Sequence, residues 1–143
     1  MLLVQKGILD NSVIESLVAW VREGSKRDSG NGAYHSLKFI TWAAALAHYG
    51  LLESLDCIRL GDVDLRSVPA QHLVSLVSRV KWCVTIRNVR GCDLVALLGS
   101  LRCHKLNINN SLLKSKTAKE ALMERVLNGP TKFSINTESW SYS

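Results

Sequence analysis

The residues of this chain whose types could do chemistry are four cysteines, four histidines and an excess of cations. Cys57, Cys83, Cys92 and Cys103 could in principle form disulfides, ligate a metal or act as nucleophiles. Their spacing supports none of these, because no C-x-x-C pair occurs and His104, beside Cys103, should point to the other side of a strand. His35, His48, His72 and His104 are scattered along the chain. No acid is spaced to orient one of them as a base, and no nucleophile elbow accompanies them. The glycine-rich loop from Gly24 to Ala33 lacks the G-x-x-x-x-G-K-[ST] pattern that cradles phosphate. These residues predict free thiols, no metal, no cofactor and no enzymatic activity.

The cations are more informative. The chain of 143 residues has 18 Lys and Arg against 12 Asp and Glu, a net charge of +6. Ten of the basic residues fall between Arg66 and Lys119, where Asp93 is the only acid. Such a local excess implies affinity for an acidic protein surface or for nucleic acid, provided the charges share a face. The length suits one domain, and 47% apolar residues are enough to build a core. No apolar run approaches the roughly 18 residues of a membrane span. The start, Met-Leu-Leu-Val-Gln-Lys-Gly, lacks the basic lead and the cleavage site of a signal peptide. A reducing, cytoplasmic setting without membrane contact is expected.

The elements that must position these residues alternate in type. Ile8 to Glu23 reads as a helix, with Asp10, Asn11 or Ser12 as cap and Val13, Leu17, Trp20 and Val21 as its apolar stripe. Tyr34 to Tyr49 reads as a second helix, apolar around much of its circumference and so expected to be sandwiched. Residues 1–50 form an N-terminal helical cap on this reading. In Leu55 to Leu65 the apolar residues are Leu55, Ile58, Leu60, Val63 and Leu65, and the alternation at Ile58 and Leu60 reads as a half-buried strand. A helix follows from Pro69 to about Val80. The pattern then returns three times: Val84 and Ile86, Leu106 and Ile108, Phe133 and Ile135. Short helices intervene at Asp93 to Leu101 and at Ala118 to Leu127, the latter with Thr117 and Glu120 in capping-box spacing. Residues 51–136 thus make four strand–helix units, and 137–143 a flexible tail.

Leu60, Ile86, Ile108 and Ile135 then recur at intervals of about 22 to 27 residues, one strand and one helix in each. With the spacing L-x-x-L-x-L-x-x-N-x-L at Leu55 to Leu65, the chain resembles the leucine-rich-repeat proteins of ribonuclease-inhibitor type, as in innate-immune receptor arrays. The resemblance implies an α/β fold: a short leucine-rich-repeat-like solenoid with parallel strands on one face and helices on the other. It departs from the family where Val63, Val89, Ser111 and Glu138 occupy the asparagine position, so no asparagine ladder is expected there. The same βαβα order also suits a doubly wound sheet.

In a parallel array the residues opposite the core line up across strands. These are Cys57, Arg59 and Gly61; Cys83, Thr85 and Arg87; Lys105, Asn107 and Asn109; and Lys132, Ser134 and Asn136. This face would carry four cations and no acid. The expected function is non-enzymatic protein–protein recognition of an acidic partner, with Arg59, Thr85, Arg87, Lys105, Asn107, Asn109, Lys132, Ser134 and Asn136 as contacts. The alternative is nucleic-acid binding through the basic Arg66 to Lys119 region, although no stacking aromatic lies on the face. Self-association through the C-terminal strand edge is a further option, since an unpaired edge is a template for pairing.

Overall fold

The computed structural model describes residues 10–26, 34–129 and 132–138. The N-terminal start, most of the glycine-rich loop and the tail beyond Glu138 lie outside these residues.

Helix α1 spans Asn11–Gly24 and starts at Asp10, whose carboxylate accepts the Val13 N–H at 3.0 Å. It buries Val21 fully and Leu17 and Val18 in part. Trp20 stays 42% exposed and meets Phe39 edge-on at 5.1 Å. Helix α2, Leu37–His48, is shorter than its apolar run suggested because the Ser36 hydroxyl caps it by accepting the Phe39 N–H. Six of its residues are buried, from Phe39 to Ala47, as a sandwiched helix requires. The remaining elements are β1 (Leu55–Asp64), α3 (Ala70–Arg79), β2 (Val80–Arg90), α4 (Leu94–Gly99), β3 (Lys105–Asn109), a 3-10 turn (Asn110–Leu113), α5 (Lys116–Asn128) and β4 (Ser134–Glu138). Asp93 caps α4, accepting the Ala96 N–H at 3.1 Å. Helix α5 begins earlier than the Thr117–Glu120 spacing implied, because the Ser115 hydroxyl accepts the Ala118 N–H and fixes the first turn.

The four strands form one parallel sheet in the order β1-β2-β3-β4, so the chain is α/β, with five α-helices among the described residues. The strand order follows the sequence without reversal, and the switch point of a doubly wound sheet is absent from it. Rows of apolar residues cross the sheet. Ile58, Val84 and Leu106 are in register, and so are Leu60, Ile86 and Ile108. These rows join Leu73, Leu76, Val77, Leu97, Leu98, Ala118 and Leu122 from the helices in a single core.

The fourth strand departs from the expected register. Ile135 pairs with Leu106, and Thr137 with Ile108, so β4 is displaced by two residues. In this register Phe133 precedes the strand and packs against the core, with the Arg125 guanidinium 4.3 Å from its ring centroid. Arg125 is itself buried in α5. Its side chain donates to the Leu101 carbonyl at 2.6 Å and to the Cys103 carbonyl at 2.8 Å, tying α5 to the chain that enters β3. Gly129 leaves room for it, since a Cβ there would strike the guanidinium.

A polar ladder exists one position before the one the family pattern designates. Asp62 and Asn88 follow the paired residues Gly61 and Arg87, and both adopt left-handed backbone (φ 49° and 52°), which Asp and Asn tolerate better than most residues. The Asn88 amide donates to the Asp62 carboxylate at 3.1 Å, linking the two units at the C-terminal end of the sheet.

Candidate functional site

The polar face of the sheet is built by strand alternation, which sends every second residue away from the helices. Register places Arg59, Thr85, Asn107 and Asn136 in one row, and Cys57, Cys83, Lys105 and Ser134 in the next. Gly61 pairs with Arg87. Of the expected contact residues, Arg59, Thr85, Arg87, Lys105 and Asn107 are half-buried, Ser134 and Asn136 exposed, and Asn109 buried. The two-residue displacement of β4 moves Lys132 off the strand to an exposed position before it. It also brings Glu138 into register with Asn109. The face therefore gathers three of the four expected cations, and its backbone register includes an acid the sequence reading had excluded.

The centre of the face is tightly interlocked. The Asn107 amide donates to Cys83 Sγ at 3.3 Å and to Thr85 Oγ1 at 3.5 Å, and the Asn109 amide donates to Ser111 Oγ at 2.9 Å. The side-chain carbonyl oxygens of Asn107 and Asn109 are buried without a hydrogen-bond partner among the described residues. Burial pushes the Cys57 thiol up to about 11, with neighbouring Cys83 adding to the shift. Burial likewise raises Cys83 and Cys103. These thiols are protonated at neutral pH and poor nucleophiles.

The open edge of β1 is closed by Ser25, from the expected Gly24 to Ala33 loop, and by His35, which lies before α2 and not in the helix expected from Tyr34. The Cys57 N–H donates to the Ser25 carbonyl at 2.9 Å, and the His35 N–H donates to the Arg59 carbonyl at 2.9 Å. Between them the Arg59 N–H donates to His35 Nδ1 at 3.0 Å, so an imidazole stands where a neighbouring strand would offer a carbonyl. Because Nδ1 accepts, the proton belongs on Nε2, which reaches the Gly24 carbonyl at 2.8 Å. The ring stacks on Phe39 at 4.3 Å. Burial lowers the His35 pKa first and the Arg59 charge adds to this, while the Gly24 carbonyl opposes them.

The same segment touches the face itself. Tyr34 lies against Gly61, where a Cβ would come within 2.5 Å of its ring, and the Arg87 guanidinium sits 5.8 Å from the ring centroid. The Arg59 guanidinium reaches the Gly24 carbonyl at 3.4 Å. A glycine inside a strand marks close approach of another group, and Gly61 was the available signal for this contact. The role of His35 had no local signal.

Two of the other histidines meet each other on the helices. His48 and His72 stack at 4.3 Å across α2 and α3, with His48 Nδ1 3.2 Å from Ser75 Oγ. Burial, then His48, lowers the His72 pKa. Among the described residues no group of three or more His, Cys, Asp or Glu could hold a metal ion. No helix among them is long and apolar enough to cross a membrane. No protein-family model matches this chain, and neither curated proteins nor solved structures yield a significant match.

Proposed function

We propose that this chain is a non-catalytic recognition module that binds an acidic partner protein through its polar strand face. In this reading the strand–helix units form a short, divergent leucine-rich-repeat-like solenoid. What supports it is the sequential parallel strand order and the Asp62–Asn88 ladder between equivalent positions. The observation that carries the functional reading is the register that brings Arg59, Arg87 and Lys105 onto one face. Arg59 and Arg87 are held in place by the Gly24 carbonyl and the Tyr34 ring, so less side-chain entropy is lost when they meet an acidic surface. The buried, protonated thiols suit a reducing, cytoplasmic setting.

The test is an unbiased pull-down with wild-type protein beside the double variant Arg87→Glu, Lys105→Glu. Loss of a specific protein from the variant, at unchanged melting temperature, is the expected result. Equal capture by both proteins refutes the reading. Capture of oligonucleotide instead, weakening steeply with salt, replaces it with nucleic-acid binding.

A further inference from the structure

The strand face uses only part of the basic excess. Arg79, Lys81 and Arg102 lie elsewhere, around a depression of about 510 Å³ at the N-terminal ends of the strands. Arg79 ends α3, Lys81 is the second residue of β2, and Arg102 lies in the loop that enters β3. We propose that this depression is an anion site that takes a phosphate monoester.

Three observations converge on that ligand. First, Arg79, Lys81 and Arg102 are exposed and make no ion pair among the described residues, whereas Lys26 and Arg66 each hold a carboxylate. Three cations held around one depression repel one another, and an anion between them relieves that repulsion. Second, the charge matches. Glu53 is the one acid lining the depression, which leaves a net +2 against the roughly −1.5 to −2 of a phosphate monoester at neutral pH. The negative end of α3 offsets part of the field of Arg79, so Lys81 and Arg102 are the principal contacts. Ser54 adds a hydroxyl donor, while the Ser78 hydroxyl already donates a hydrogen bond to the Ser75 carbonyl at 2.8 Å. Third, a second depression of about 560 Å³ shares Ser78 and Arg102 with the first, and its lining includes Val74, Leu101 and Ala121 as well as Glu124 and Asn128. A phosphate held by Lys81 and Arg102 would direct the organic part of its ester into that second depression, toward Val74, Leu101 and Ala121.

The cluster is compact, whereas nucleic acid needs a charged track or a stacking platform. The experiment is a two-dimensional amide NMR titration at fixed ionic strength, with inorganic phosphate, phenyl phosphate and chloride as probes. Saturable shifts at Ser54, Lys81 and Arg102 are expected with both phosphates and not with chloride, with phenyl phosphate binding tighter. Arg102→Glu should weaken phenyl phosphate binding at least tenfold, and Arg87→Glu with Lys105→Glu should leave it unchanged, which separates this site from the strand face. Shifts equal to those with chloride, equal affinity for the two phosphates, or indifference to Arg102→Glu overturn the proposal. So does a single-stranded oligonucleotide that outcompetes phenyl phosphate.

Discussion

Replacing His35 with Phe tests whether one imidazole closes the sheet edge. Phenylalanine keeps the stack on Phe39 but can neither accept the Arg59 N–H nor donate to the Gly24 carbonyl. The Gly24 carbonyl keeps the Arg59 guanidinium at 3.4 Å, so the group left without its partner is the Arg59 N–H, and the variant should cost about 1–3 kcal/mol. Acid should reproduce part of this loss in the wild type. The folded state holds His35 neutral and its pKa is lowered, so its stabilisation is present above the unfolded value near 6.5. It is lost as pH falls through the lowered value, because a proton on Nδ1 displaces the Arg59 N–H and places a second cation beside the Arg59 guanidinium. Urea unfolding from about pH 7.5 to about pH 5 should therefore show a steeper acid-side decline in wild type than in His35→Phe. Amide exchange should show Arg59 protected in wild type and fast in the variant. Parallel stability curves, together with an Arg59 amide as protected in the variant as in wild type, would refute this account of the edge.

Other consequences follow from single contacts. Gly61→Ala should destabilise by about 1–3 kcal/mol, because its Cβ would meet the Tyr34 ring at 2.5 Å. The same change should be near neutral in a Tyr34→Ala background, a difference that a double-mutant cycle reads directly. Arg125→Met should cost about 2–4 kcal/mol in urea unfolding by orphaning the Leu101 and Cys103 carbonyls, and adding Gly129→Ala should then do little further harm. The Cys57 thiol, raised from 9.0 to about 11, contributes stability that is intact below pH 9.0 and is lost as pH rises toward 11. At about 1.4 kcal/mol per unit, the alkaline loss should be about 2–3 kcal/mol smaller in Cys57→Ala than in wild type, measured by unfolding midpoints in that range.

Alternation was the most legible feature. A strand with one buried face must place apolar residues at every second position, so the sequence predicts the pairing of Leu60 with Ile86 and Ile108, which the structure shows. Arg59, Thr85 and Asn107 share a row for the same local reason. Phe133 and Ile135 repeat that local pattern, yet the fourth strand uses Ile135 and Thr137. The competing contact is remote in sequence from the strand pattern, since Phe133 packs on the core against the Arg125 guanidinium of α5. A one-dimensional pattern cannot weigh that attraction.

The sequence by itself determined the alternation of strands and helices, which side of the first three strands is apolar, and the local concentration of cations. These depend on residue type and spacing within a few positions. Tertiary structure decided where those features meet. It set His35 against Arg59 across 24 residues of sequence. It divided the cations between the strand face and the depression at Arg79, Lys81 and Arg102. It also found its polar ladder at Asp62 and Asn88, where two left-handed residues in adjacent units come within hydrogen-bond reach. Such contacts depend on how distant segments fill one volume, and the side chains that fill it carry no mark of their partners in the order of the chain.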